Sequence, residues 1–577
     1  MTDATGPARR APLAWLVPVL GLVASLALAY GAYELANYSW NQVVAYESPY
    51  TELTGSGFSG TRPPLAEPVP GAVARRVVVI LIDGLREDAS RTMASINALR
   101  ERGADVSITA PQPSLSYPTW TTIMTGAPPQ ISGVTTNWFE GPVAVETLLD
   151  VAAGSGRSVI VAGTDDLDTM FRASEVATAT ALVPWSEDEY MTAGIVDGAL
   201  ELDAAAGGAD FIFVLVPDVD NVGHDNGGAS DEYADIAAKV DADLGRLIDG
   251  LDDGATTFFV LPDHGHIDTG GHGGWEDDVI GTWAAMAGPG IRQTTAEAAL
   301  ADVAPTVAVV AGLQAPLQAA GTAIDAVLAD PNGAARDAEF VRGAGLALAY
   351  TDEVLGEDNA ITIDAIDSPA ALAGVRADAD AERVATERGD RLGLLLGAVA
   401  ILLVVAAAIG IASWRALVSA LAGAAAYAIV YNVLFFLVHG LAWSLSAFND
   451  EDMIEAFFMT RMAEAALAGL VGAIVAAAIY AALRKRWTDR RKARAVEWLA
   501  VGSAAVLLSQ AVLLVQVGVF AWRWGVQITW LLPDFREAFK YDLDLMQITG
   551  LGVAAVLGPL LALAVGRLTG RSRRAAA

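Results

Sequence analysis

The stretch FVLPDHGHIDTGGHGGW, from Phe259 to Trp275, decides how this chain is read. Phe258, Phe259, Val260 and Leu261 form an apolar run that predicts a short buried strand ending at Pro262. Asp263 and His264 follow at once, then His266 and His272, with glycines at 265, 270, 271, 273 and 274. The chain holds five histidines, and three of them sit here. Imidazole and carboxylate on a Gly-rich loop at a strand end suit a borderline metal such as Zn²⁺ or Mn²⁺. The glycines let the backbone turn tightly enough for the side chains to converge. The competing reading is a polar surface loop with incidental histidines.

The whole chain sets the frame. Its 577 residues leave room for more than one domain. A net charge of −32 coexists with a mean hydropathy of +0.41, which requires charge and apolar residues to be segregated along the sequence. They are: apolar stretches long enough to span a bilayer lie near 13–33, 392–414, 416–438, 463–483, 498–520 and 545–566. Acidic residues concentrate between the first and second. With no cysteine there is no disulfide framework and no thiol chemistry. The acidic balance argues against a nucleic-acid partner.

Residues 1–34 are expected to be an N-terminal signal anchor or transmembrane helix, in which Arg9 and Arg10 precede an apolar run from Leu13 to about Tyr33. Residues 35–74 read as a linker. The continuous β-branched run VVVILI at 77–82 marks a strand buried on both faces and ends in Asp83-Gly84-Leu85-Arg86. Further strands are expected at 158–162 and 211–216, with helical pattern between them. This alternation implies a mostly parallel sheet flanked by helices. Ligands of such sheets lie at the carboxyl ends of the strands, so Asp83, Asp220 and Asp263 should meet on one edge. In FIFVLVPDVDNVGHDNGG (211–228), Asp220 and His224 point into the same concavity, while Asp218, Asp225 and His266 are bystander candidates. A helix over about 232–251 carries Ile236, Val240, Leu244, Leu247 and Leu251 on one stripe for packing on the sheet.

In PQPSLSYPTWTTIMTGAPP (111–129), Ser116 stands two residues before Pro118, and Thr119 to Thr125 would form a helix closed by Gly126. A serine at a helix N-terminus sits where free N–H groups favour a phosphate. An ordinary Ser/Thr-rich cap is the alternative.

Taken together, these motifs resemble the alkaline phosphatase superfamily, in particular its type I phosphodiesterase/nucleotide pyrophosphatase branch. They also resemble the catalytic domain of the glycosylphosphatidylinositol ethanolamine-phosphate transferases. The matching residues are Asp83 to Arg86; Ser116, Tyr117, Pro118, Thr125 and Gly126; Asp220, Gly223 and His224; and Asp263, His264, Gly265 and His272, with 302–313 as the closing helix. The resemblance implies an alkaline-phosphatase-like α/β fold over about 75–330. It further implies two divalent metal ions, zinc first and manganese as the alternative. Asp83, Asp263 and His264 would hold one beside a Ser116 nucleophile, and Asp220, His224 and His272 the other. Thr119 is carried as a phosphate-binding residue, although nucleotide pyrophosphatases carry Asn where this chain has Thr119. A sulfatase is disfavoured, because Trp120 replaces the arginine that formylglycine formation needs.

Residues 331–390 are expected to be a helical connector, and 391–577 a five-helix, all-α transmembrane domain. Basic residues fall at Arg9 and Arg10, Arg415, Arg484 to Arg494 and Arg567 to Arg574, which puts these loops on the cytoplasmic side. The expected location is the plasma membrane, multi-pass, with the catalytic domain and the loops at 449–455 and 523–544 outside. Trp522, Trp524, Trp530, Phe535 and Phe539 suit an interfacial segment, or one that guides a lipid headgroup toward the site. His439 suits an interhelical hydrogen bond. The functional expectation is a phosphodiesterase or phospho-group transferase acting through a phosphoserine on lipid headgroups. One rival is a nucleotide diesterase with the spans as mere anchor. Another is a transport or assembly protein with a non-catalytic ectodomain.

Overall fold

Alternate residues of VVVILI leave the strand on opposite faces, so a run without a polar member needs an apolar layer on each side. The computed structural model provides both. It describes residues 11–53, 74–187, 189–329, 333–356, 366, 368–448, 453–486 and 494–575. Eight strands form one sheet: β1 (Arg76–Ile82), β2 (Ala104–Thr109), β3 (Val159–Thr164), β4 (Ala179–Val183), β5 (Phe211–Val216), β6 (Thr256–Pro262), β7 (Gly281–Ala287) and β8 (Thr294–Ala299). Their order is β4-β3-β5-β1-β6-β7-β2-β8. All neighbours pair parallel except β7, which runs antiparallel to both β6 and β2. Val77, Val79 and Leu81 join one core, and Val78, Ile80 and Ile82 join the other. The expected stripe on the Asp231–Leu251 helix packs into that second core through Val240, Leu244, Leu247 and Leu251.

Six helices among the described residues are long and apolar enough to cross a membrane: Trp15–Thr51, Ala370–Ala412, Trp414–Val438, Ile454–Lys485, Ala495–Arg523 and Phe535–Thr569. Leu403, Val404, Ile411 and Leu437 stand more than 60% exposed on their outer faces, where hydrocarbon is the solvent that suits them.

Two boundaries differ from expectation. The N-terminal helix runs from Ala11 to Val44, well into the segment read as linker, because nothing from Gly31 to Val44 breaks a helix. Of that linker, residues 54–73 lie outside the described residues. The same helix is not a separate anchor. Gln510 Nε2 donates to the Ser25 carbonyl at 3.1 Å, and the Ser39 hydroxyl meets the Tyr541 hydroxyl at 3.1 Å, so it joins the other five in one bundle. The connector also has no sharp end. Pro369–Ala412 is a single helix of 44 residues, begun by the Ser368 cap with Pro at its first position, and it carries straight into the span. Of the basic segments, Arg9, Arg10 and residues 487–493 lie outside the described residues. His439 finds the interhelical partner expected of it, Glu464 Oε1 at 2.7 Å.

Candidate metal centre

β5, β1 and β6 lie side by side, and Ile82 is level with Val216 and with Pro262. The residues that follow therefore emerge together at the carboxyl edge. Asp83 leaves β1 fully buried, and neither of its carboxylate oxygens has a hydrogen-bond partner. Asp263 leaves β6; its Oδ1 accepts from Gly84 N at 3.1 Å and His264 N at 2.9 Å. His264 Nε2 stands 3.3 Å from Asp263 Oδ2 and 3.5 Å from Asp83 Oδ1. Burial, and then the charges of Asp263 and Asp220, push the Asp83 carboxyl well above its usual range. Two buried carboxylates and one imidazole with ligand atoms within 4.8 Å of one another fit a divalent cation, which would supply the charge that Asp83 lacks. Gly84 is required here: it has φ +68°, and a Cβ would lie 2.7 Å from Asp220 Oδ1.

A second donor set adjoins the first. Asp220 and His224 lie one turn apart on the Asp218–Asn226 helix, with His224 Nε2 3.3 Å from Asp220 Oδ2. His272 Nε2 approaches His224 Nε2 at 3.2 Å and Asp220 Oδ1 at 3.8 Å. These three also gather their ligand atoms within 4.8 Å. Burial works against the Asp220 carboxylate, but His224 and His266 outweigh it and hold its carboxyl well below the usual range. Burial, followed by the charge of His264, drives His272 well below the ordinary imidazole value, leaving it as the neutral donor a metal requires. The two sets touch, since the His264 and His272 rings stack at 3.8 Å between centroids.

The bystander candidates separate. Asp218 accepts from the backbone of Met191 and Thr192, both at 2.8 Å, which is a structural duty. Asp225 is exposed at the mouth of the site. His266 is no bystander: fully buried, it places Nε2 2.8 Å from Asp220 Oδ1 and braces that carboxylate from behind. Asp220, His264 and His266 also fall within ligand range of one another. The short contact to Asp220 makes support the better account of His266.

Ser116 stands in the first turn of a helix that begins with it, Ser116–Thr125, three residues earlier than expected; Gly126 closes the helix at φ +67°. The early start follows from Leu115, whose extended backbone caps the helix and whose carbonyl accepts from Thr119 N at 3.0 Å. Ser116 Oγ lies 3.4 Å from His264 Nε2, beside the first donor set.

Thr119 corrects the expectation of a phosphate contact. It is fully buried, and its hydroxyl faces Asp263 Oδ2 at 3.0 Å and the carbonyls of Leu115 and Ser116 at 2.6 and 3.0 Å. One turn into the helix, that hydroxyl bonds back to the preceding turn and reaches Asp263 from the same position. Sequence reading missed Asn137, which lines the cavity in front of Ser116 and accepts from Tyr117 N at 3.0 Å through Oδ1. It lies in a loop with no periodic pattern, and only proximity in the fold identifies it.

The cavity has a volume of about 390 Å³ and two kinds of wall. Ser116, Asn137, Asp220, His224 and His272 form one. Leu445, Phe448, Ile454, Phe458, Phe535 and Phe539, all from the membrane bundle, form the other.

Residues 77–316 match the family model of type I phosphodiesterase / nucleotide pyrophosphatase. No curated protein matches the chain significantly. Among solved structures, murine ectonucleotide pyrophosphatase/phosphodiesterase 5, an inactive form in complex with AMP, is 14% identical over 42% of this chain and 96% of its own, with a TM-score of 0.36. Wild-type alkaline phosphatase PafA is 13% identical over 44% of this chain and 99% of its own, with a TM-score of 0.38. The phosphonate monoester hydrolase of Agrobacterium radiobacter is 16% identical over 43% and 76%, with a TM-score of 0.35. The family match therefore covers the sheet-bearing part of the chain, residues 77–316, and leaves the bundle of apolar helices that follows outside it.

Proposed function

We propose that this chain is a two-metal phosphodiesterase or phospho-group transferase that works through a phosphoserine on Ser116 and takes membrane-borne phosphodiesters. Asp83, Asp263 and His264 would hold one divalent ion and Asp220, His224 and His272 the other. Bound there, the ions supply positive charge to the serine oxygen and to the oxygens of the phosphoryl group. The protein's own part is positioning. The Leu115 cap and the Ser116–Thr125 helix aim Oγ at the phosphorus, and the Asn137 side-chain amide can donate to a phosphoryl oxygen. A bond forms from Ser116 Oγ to phosphorus as the bond to the first alcohol breaks; the proton lost from Oγ is balanced by one taken up by the leaving alkoxide. Water or an acceptor hydroxyl then breaks the Oγ–P bond, giving hydrolysis or transfer.

The observation that carries this reading is Asp83, a fully buried carboxylate with neither oxygen hydrogen-bonded, beside two further carboxylates. A structural carboxylate at that depth would be hydrogen-bonded. The lipid part rests on the cavity, whose second wall is built from membrane helices. Phe448, Phe458 and Phe539 give that wall an apolar surface suited to the hydrocarbon part of a lipid diester. The charge pattern of the loops supports a plasma-membrane protein with the catalytic domain outside.

The test is a substrate panel on the purified full chain in lipid nanodiscs: nucleotide diesters, lipid phosphodiesters and phosphomonoesters, each with and without a glycan acceptor. Lipid diesters should turn over fastest, and chelation should stop the reaction. Metal-independent turnover would sink the two-metal reading. Preference for nucleotide diesters would make the spans an anchor.

A further inference from the structure

The glycines around His272 do more than let the loop turn. Gly271 has φ +89°, and a Cβ there would lie 2.7 Å from the Ser446 carbonyl oxygen and 3.0 Å from that of Phe448. At Gly274 a Cβ would stand 1.9 Å from Ser444 Oγ and 2.5 Å from Ser446 Oγ. Both obstacles belong to the membrane domain, in the segment between the Trp414–Val438 and Ile454–Lys485 spans. The approach is bonded as well as close. Gly274 N donates to Ser446 Oγ at 3.1 Å, and that hydroxyl donates to Glu276 Oε2 at 2.9 Å. Trp275 Nε1 donates to the Trp443 carbonyl at 2.9 Å, and the Arg536 guanidinium stacks 4.5 Å above the Trp275 ring. Ser444 and Ser446 are 1% and 2% exposed, so the Gly274–Ser446 bond is shielded from water.

On its other side the loop rests on the segment leading to Ser116, through an isolated bridge between Gly273 and Ser114. Ser114 Oγ donates to the Gly274 carbonyl at 2.9 Å, and His272 Nδ1 faces the Ser114 carbonyl at 3.0 Å. His272 is therefore held between the Ser116 segment and a segment of the membrane bundle.

We infer that Ser446, Ser444 and Trp443 are positioning residues of the second metal site: the membrane domain completes that site by clamping the loop that presents His272. The inference rests on the two-metal reading above and goes beyond it by giving the bundle a part in the chemistry. Ser446 bonds the loop while its neighbours Leu445 and Phe448 line the substrate cavity. One short stretch thus sets both the metal donor and the cavity wall.

The test uses the full chain in nanodiscs, stripped of metal and titrated with zinc chloride by calorimetry; His272→Ala marks which binding step belongs to the second site. Ser446→Ala should weaken that step about ten-fold or more, as loss of an outer-shell partner does, and leave the other step unchanged. Trp275→Phe, which keeps the ring over Arg536 and removes only the indole donor, should act in the same direction. Hydrogen–deuterium exchange at 270–276 should rise in both variants while exchange in β1 and β6 stays constant. Equal weakening of both steps, or wild-type affinity with unchanged exchange at 270–276, overturns the inference. If the wild type takes up no zinc, the two-metal reading fails, and the exchange experiment alone decides the clamp.

Discussion

Replacing Thr119 by valine separates two roles that sequence and structure give the same residue. The valine keeps the shape of a fully buried side chain and deletes only the hydroxyl. That hydroxyl has one proton and three oxygens in reach: Leu115 O at 2.6 Å, Ser116 O at 3.0 Å and Asp263 Oδ2 at 3.0 Å. Both carbonyls have the helix for alternative company, whereas Asp263 Oδ2 sits among Thr119 Oγ1 at 3.0 Å, the His264 ring at 3.3 Å and the Asp83 carboxyl, so Thr119 is its neutral donor. A hydrogen bond to a charged group contributes roughly 1.5–3 kcal/mol, and about 1.4 kcal/mol corresponds to a factor of ten. Thr119→Val should therefore weaken the ion held by Asp83, Asp263 and His264 by about 10- to 100-fold on those figures. Thr119→Ser should restore most of the affinity. With the site saturated by excess metal, KM for a diester should stay near wild type, because the hydroxyl does not reach the cavity. Metal affinity is read by calorimetry on the metal-stripped chain and KM by steady-state kinetics in nanodiscs. A raised KM with unchanged metal affinity would refute this reasoning and return Thr119 to the phosphate.

Other outcomes follow from the same geometry. Ser116→Ala should cost several orders of magnitude in turnover and leave metal content and thermal unfolding unchanged; a labelled phosphoryl group trapped on any other residue in peptide mapping would show a different nucleophile. Asn137→Ala should raise KM more than it lowers kcat, and steady-state kinetics with equal effects on both would argue against a ground-state phosphate contact. The gain in melting temperature on adding metal should grow with pH. Asp83 has a folded-state carboxyl value above its unfolded one, so ionising it costs the metal-free fold stability as pH rises through that raised value. A bound cation removes the penalty, and a gain that shrinks from pH 5 to pH 8 in calorimetric scans would contradict the assignment. In sealed inside-out vesicles the domain at 75–330 should resist added protease, whereas cleavage there would reverse the proposed orientation.

The sheet was legible because its central strands carry their own burial pattern. VVVILI and FIFVLV have no polar member; Asp83 follows the first directly, and Asp220 follows the second four residues on. Convergence of Asp83, Asp220 and Asp263 then followed from parallel topology alone, and the register of β5, β1 and β6 matches it. What stayed hidden depends on contacts between distant segments. The duty of Thr119 is set by where the helix starts, which rests on the extended backbone of Leu115 and not on a helix-period signal. Asn137 lies in an irregular loop. The glycines at 271 and 274 read locally as turn formers, yet obstacles that exclude a side chain stand 170 or more positions away, at Ser444 and Ser446. His266 read as spare because only the fold shows that its Nε2 reaches Asp220.

The unbroken helix Pro369–Ala412 has a kinetic consequence. At 1.5 Å per residue it is about 66 Å long, more than twice the roughly 30 Å of hydrocarbon it must cross. Its outer part is tied down: Arg383 bonds the Tyr350 hydroxyl at 3.3 Å and the Thr529 hydroxyl at 3.2 Å, and the Arg388 carbonyl accepts from Trp522 at 3.1 Å. A catalytic head held by such a strut does not sweep the solution above the membrane. A membrane-borne diester, the substrate proposed above, would reach it by diffusing within the lipid plane, and the encounter would be two-dimensional. The rate should then follow the mole fraction of substrate in the bilayer: diluting it with inert lipid at constant total amount should slow turnover. Adding more vesicles of the same composition should leave the rate per enzyme unchanged, and a rate that instead tracked bulk concentration would mean the head draws its substrate from water.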